Sequence, residues 1–151
     1  MIILDTLARA ELLKDAVIAF PDECCGFLFG KEESNGFRAV TQIQVVNNAK
    51  EGDKRRRFAI SPLDYIKAEQ YAEEHQLQLL GVYHSHPNHP AIPSEHDRIA
   101  AQPWFSYVIV SVVDGRPDAL RSWRLNDEDQ FDEENVGVVA SSFNHEFNHQ
   151  S

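Results

Sequence analysis

The sequence predicts a single α+β domain, a β-sheet with helices packed on it, and three observations carry that reading. The 151 residues suit one domain of ordinary size. Short apolar and β-branched runs occur in pairs joined by turn residues, the pattern of hairpins. Segments of helical spacing fall between these pairs without the regular alternation of a βαβ series. There is no internal repeat, low-complexity tract or linker, so residues 1–140 are read as one domain and 141–151 as a polar tail expected to be poorly ordered.

In chain order, 1–4 is a short apolar strand. Residues 5–20 place Leu7, Ala10, Leu13, Val17 and Phe20 at helical spacing, and Pro21 ends that helix. The glycine-bounded run 25–30 is a buried strand with Glu23 at its entrance, and 37–48 returns beside it across the turn 31–36. After a polar loop at 49–57, Ser61, Pro62 and Asp64 supply a capping hydroxyl, a first-turn proline and a first-turn carboxylate for a helix running to about His75. Residues 77–87 are the strongest buried-strand candidate, ending at Pro87. Pro87, Pro90 and Pro93 mark a loop before a short helix from Ser94 to about Ala101. A second hairpin then joins 107–113 to 119–125 through a turn at 114–118. From Asn126 the chain turns acidic, with a short strand at 136–140, and His145 and His149 are assigned to the tail rather than to a second metal site.

Composition narrows the function classes. With 24 acidic against 14 basic side chains the net charge is -10, so the summed field repels polyanions and argues against nucleic acid as a partner. No apolar stretch approaches the roughly 20 residues of a spanning helix, and the N-terminus lacks a signal-peptide pattern, so no membrane role is expected. The two cysteines, Cys24 and Cys25, are adjacent and cannot staple distant segments, which suits a reducing cytoplasm.

The chemistry concentrates at the end of the 77–87 strand. Side chains two apart on a strand share a face, so His84 and His86 form a two-nitrogen clamp, and Asp97 can fold back as a third, anionic ligand. Two imidazoles and a carboxylate leave a tetrahedral zinc one open position, as in catalytic sites, and zinc lowers the pKa of a bound water from ~15.7 to ~7. Glu23 is the candidate proton shuttle, and Ser94 the candidate donor to an oxyanion. Each residue also has a plainer reading. Ser94 to Asp97 forms a capping box, a lone His-x-His is a polar strand pair, and Glu23 is a strand-edge acid. The spacing of Ser94 and Asp97 to His84 and His86 favours the metal site, while Glu23 stays open between proton shuttle and a strand-edge or ion-paired acid. His89 and His96 are read as bystanders of the site loop, Cys25 as packing, and Cys24 as able to approach the metal. The run Lys54, Arg55, Arg56, Arg57 reads as a solvated loop, or as a dock for an acidic partner or the carboxylate of an extended tail.

The run His84-Ser85-His86-Pro87, six residues, then Ser94-Glu95-His96-Asp97 resembles the JAMM pattern of the MPN metalloproteases at every defined position. Pro21 to Gly30, Arg56 to Pro62 and Gly81 to Pro87 extend the likeness over most of the chain. The resemblance implies the JAMM/MPN fold, a mixed β-sheet flanked by helices and similar to cytidine deaminases. It implies one Zn2+ per chain on His84, His86 and Asp97, with Glu23 as general acid/base and Ser94 as oxyanion donor. The bare single domain is most similar to the bacterial branch acting on ubiquitin-like sulfur carrier proteins, which makes such a carrier's C-terminal tail the expected substrate, docked as an added strand on an exposed sheet edge. The readings kept beside it are a zinc peptidase for other small peptides or amides, and a non-catalytic zinc-stabilised interaction module.

Overall fold

The computed structural model describes residues 1–141. The chain opens with β1 (Ile2–Asp5) and α1 (Thr6–Ala19), where the Asp5 carboxylate caps the helix by accepting from the N–H groups of Leu7 and Ala8. The hairpin β2 (Cys25–Glu32) and β3 (Arg38–Val46) follows. Next comes α2 (Pro62–Glu74), where Ser61 caps and Pro62 occupies the first turn as the residue types demand. Then come β4 (Gln78–Pro87), the six-residue α3 (Glu95–Ala100), β5 (Ser106–Val113) and β6 (Arg116–Leu125), with β7 (Phe131–Glu134) and β8 (Val136–Val139) completing the order. None of the described helices is long and apolar enough to cross a membrane.

The eight strands of the described residues form one sheet in the order β7-β6-β5-β4-β2-β3-β1-β8. It is mixed: β4 and β5 run parallel, as does β1 with β3 and β8, while the remaining neighbours are antiparallel. Period-two alternation, shifted once where β2 and β4 lose register at Leu80, divides the interior strands between two cores. Leu28, Leu80, Tyr83, Val108 and Val110 pack with Leu12 and Ala16 of α1. Phe27, Phe29, Val82 and Tyr107 pack with Ala68 and Ala72 of α2. Strand β4 lies between β2 and β5 and is buried from Leu79 to Pro87, which explains its continuous apolar run.

Two expectations need revision. The turn read at 114–118 shrinks to Asp114 and Gly115, both at positive φ, and Pro117 lies inside β6 opposite Val112 beside a register shift. Residues 131–134, in sequence only part of an acidic tail, form β7 and pair with β6. The expected tail lies, apart from Ser141, outside the described residues, as do His145 and His149. Ser141 itself is buried, and its hydroxyl donates to Asp5 at 2.6 Å.

Gly81 shows how tightly β4 and β5 are joined: a Cβ there would stand 1.9 Å from the Ser106 carbonyl oxygen. Backbone cannot give way as a flexible side chain would. Gly81→Ala is expected to cost about 3 kcal/mol, the upper end of overpacking penalties. In thermal unfolding the Tm should fall by about 10 °C.

Candidate metal centre and active site

His84 and His86 project from the end of β4 on the α2 face, the face that also carries Val82. Cys25 of β2 pairs in register with His84, so Glu23, two residues before it, reaches the same side of the sheet near His86. Ser85 points to the other side, where its hydroxyl accepts from the Cys24 N–H at 2.8 Å and ties the entrance of β2 to β4.

After Pro87 the chain doubles back. The Ser111 hydroxyl donates to the His89 carbonyl at 2.6 Å, and the Trp123 indole donates to the Ala91 carbonyl at 3.0 Å. This brings α3 over the strand end. Ser94 and Asp97 make the reciprocal capping box: the Asp97 N–H donates to Ser94 Oγ at 3.0 Å and the Ser94 N–H donates to Asp97 Oδ2 at 2.9 Å. The cap aims Asp97 Oδ2 at the histidines, so the plain and the functional readings of this segment hold together.

The three atoms form a nearly equilateral triangle. His84 Nε2 and His86 Nε2 are 3.2 Å apart, and Asp97 Oδ2 lies 3.3 Å from the first and 3.2 Å from the second. Tetrahedral zinc with bonds of about 2.0–2.1 Å needs donor separations of about 3.3 Å. The proton positions agree. His86 Nδ1 stands 2.8 Å from the Pro90 carbonyl oxygen, which can only accept, so a neutral His86 carries its proton on Nδ1 and turns the lone pair of Nε2 toward Asp97 and His84. Lone pairs facing one another at this distance repel unless a cation or proton lies between them. The residues therefore fit a divalent metal.

Electrostatics support the same division of labour. Burial raises the Asp97 carboxyl, but its interactions with His84 and His86 more than reverse this and hold it well below the usual carboxylate range. Burial pulls His84 down, whereas for His86 the bonds to Asp97 and Pro90 outweigh burial and raise it. Glu23 is 4% exposed, and its Oε1 is among the buried polar atoms without a hydrogen-bond partner in the described residues. Burial, partly offset by His86, pushes its pKa up to about 8. Its carboxylate also lies within 4.8 Å of the histidine ligand atoms, so Glu23, His84 and His86 form a second geometrically possible donor set. Of the two sets, the triangle with Asp97 is the tighter.

Residues 7–126 match the family model described as prokaryotic homologs of the JAB domain. The chain belongs to this prokaryotic JAB family. The CysO-cysteine peptidase of Mycobacterium tuberculosis is 35% identical over 137 residues, covering 87% of this chain and 89% of its own. The desampylase of Pyrococcus furiosus is 28% identical over 116 residues, 77% and 76% of the two chains. A Desulfitobacterium hafniense protein solved in solution superposes with a TM-score of 0.82 at 29% identity, covering 93% and 94%.

In this JAB domain some residues read from sequence lie apart from the triangle. Cys24 packs in the α1 core with its thiol against Asp15, away from the histidines, because it alternates with Glu23 and Cys25 along the strand. Burial pushes the Cys25 thiol up to about 12, and it contacts the Val46 carbonyl, which marks it as packing. His89 and His96 line the cleft beside the site.

Two contributors were not legible. Phe58 stacks on the His84 ring at 4.4 Å and holds its orientation. The Asn48 amide is fully used: its oxygen accepts from the Lys50 and Ala59 N–H groups, and its nitrogen donates to the carbonyls of Glu23 and Arg57. Asn48 thus moors the 49–57 loop of the JAB domain to the strand entrance that carries Glu23, whose own N–H donates to the Lys54 carbonyl at 2.7 Å. Asn48→Ala strands several of these groups and is expected to cost about 1–3 kcal/mol. The measurement is a thermal melt, in which the Tm should fall by about 3–10 °C.

Proposed function

We propose that this chain is a zinc-dependent peptidase that hydrolyses an amide bond at the C-terminal tail of a ubiquitin-like sulfur carrier protein. The observation that carries the reading is the triangle of His84 Nε2, His86 Nε2 and Asp97 Oδ2, with sides of 3.2–3.3 Å, beside a buried glutamate. The names of the relatives support the substrate class, since one is a CysO-cysteine peptidase and another a desampylase.

Zinc held by His84, His86 and Asp97 would activate a water and polarise the scissile carbonyl. The chain's own groups supply the rest. Glu23 takes a proton from the attacking water on its otherwise unpartnered Oε1 and delivers it to the leaving nitrogen. Ser94 Oγ already accepts the Asp97 N–H, so its own proton remains free to donate to the oxygen that becomes negative as the carbonyl is attacked. His86 keeps its orientation through Pro90, and His84 through Phe58. The buried adjacent thiols, both unpaired, support placing the enzyme in the reducing cytoplasm.

A purely structural metal is disfavoured by the cleft of about 720 Å³ that opens on Glu23 and His86. The test compares cleavage of a carrier–cysteine fusion, a carrier joined to a lysine side chain and unrelated peptides of equal length. Cleavage confined to the carrier substrates is the expected result. Equal cleavage of the unrelated peptides would move the reading to a general peptidase. Zinc binding with no hydrolysis of any substrate would leave the interaction module.

A further inference from the structure

The Lys54 to Arg57 run has a place in the fold that the mechanism does not use. The cleft bounded by Glu23 and His86 has Arg56 and Arg57 on one wall. In a chain of net charge -10, these two arginines line the same cleft as Glu23. Among the described residues, no carboxylate lies within ion-pair distance of Arg57, and Arg56 has only a loose exposed pair with Asp53 at 3.8 Å. Glu95, which lines the same cleft, is already engaged by Arg98 through two nitrogens. Beyond the metal ligands lies a second hollow of about 250 Å³, lined by Phe58, Ile60, Tyr65 and Tyr107 next to His84 and Asp97, and its surface is largely apolar.

The two sides of the site therefore differ in charge. Glu23 protonates the leaving nitrogen, so the leaving group lies in the cleft with the arginines and the acyl side extends toward the aromatic hollow. Resting on the function proposed above, we propose that Arg56 and Arg57 bind the free α-carboxylate of a single C-terminal amino acid, making release of one residue from a carrier the preferred reaction over cleavage of an isopeptide. In such a substrate the carboxylate is one carbon from the leaving nitrogen, within reach of a guanidinium fork. In an isopeptide that nitrogen ends a neutral four-carbon stem. Hydrolysis breaks the C–N bond, adds the water oxygen to the carrier's new carboxylate and sends the water's proton to the released amine. Asn48 supports the arrangement, because its one amide nitrogen donates to the carbonyls of both Glu23 and Arg57 and so ties the carboxylate-binding loop to the proton carrier.

The test uses a zinc-loaded full chain and three probes: a carrier extended by one cysteine as the free acid, the same carrier–cysteine as its C-terminal carboxamide, and the carrier joined to a lysine side chain. The intact protein should prefer the acid to the carboxamide by about tenfold or more in kcat/KM, mainly through KM, with the isopeptide no better than the carboxamide. In R56A/R57A that ratio should fall to about one, and R56K/R57K should restore part of it. Calorimetric Kd values with Glu23→Gln protein, which binds without turnover, should show the same acid preference. A ratio near one in the intact protein, an undiminished ratio in R56A/R57A or equal Kd values for acid and carboxamide would overturn the proposal. If no probe is hydrolysed the peptidase reading falls, and the Kd ratio still decides whether the arginines recognise a carboxylate.

Discussion

Glu23→Gln is expected to lower kcat by about 10²–10⁴-fold while the protein keeps one zinc. Glutamine matches glutamate in shape and keeps a carbonyl oxygen where Oε1 stands, but it cannot take up the water's proton, and general acid–base groups contribute factors of this size. The side chain is 4% exposed and held through its backbone by Lys54 and Asn48, so the substitution changes little besides protonation. The pair of measurements is turnover of a carrier–cysteine fusion and metal content. A variant that has lost its zinc would assign Glu23 to the donor set with His84 and His86 instead, and unchanged turnover would remove it from the chemistry.

Asp97→Ala should lose both metal and activity. The carboxylate supplies two of the three sides of the donor triangle and its only negative charge. Zinc affinity should fall by more than about 100-fold, since even the partners of metal ligands are worth 10–100-fold. The same change removes the acceptor of the Ser94 N–H and half of the capping box, an added cost of about 1 kcal/mol to α3. Asp97→Asn separates the two effects. Its side-chain oxygen can still accept from Ser94, so α3 should stay docked while zinc affinity falls. Equilibrium titration with zinc and far-ultraviolet circular dichroism read the two outcomes. Full zinc affinity in either variant would contradict the ligand assignment.

The parts of the site that sequence revealed are those in which local periodicity and spatial proximity coincide. His84 and His86 share a face because they are two apart on a strand, and Ser94 and Asp97 meet because a capping box is a local structure. Glu23 is reached by the same alternation along β2, through the pairing of Cys25 with His84. That alternation also overturns the idea that Cys24 faces the metal. Asn48 and Phe58 were hidden because their roles arise only when the 49–57 loop folds back over β2 and β4, and no spacing within the loop encodes this.

Strand β7 escaped for a related reason. Phe-Asp-Glu-Glu has no alternating apolar face, and its register comes from partners on β6, where Arg121 pairs with Glu133 and the Ser122 hydroxyl donates to Glu134. The hairpin bears on the site nonetheless, since Arg98 of α3 donates to the Asp129 carbonyl between these strands at 3.2 Å. The mixed character of the sheet was reached through resemblance and not periodicity, because the parallel pairing of β1 with β3 and of β4 with β5 leaves no local signature.

The most direct test of the metal centre is the metal content of the purified protein, measured with its hydrolysis of a carrier–cysteine fusion before chelation, after chelation and after zinc is returned. The expected result is about one zinc per chain, loss of hydrolysis on chelation with the sheet intact, and recovery with one equivalent of zinc. Hydrolysis that persists in the chelated, metal-free protein would contradict it.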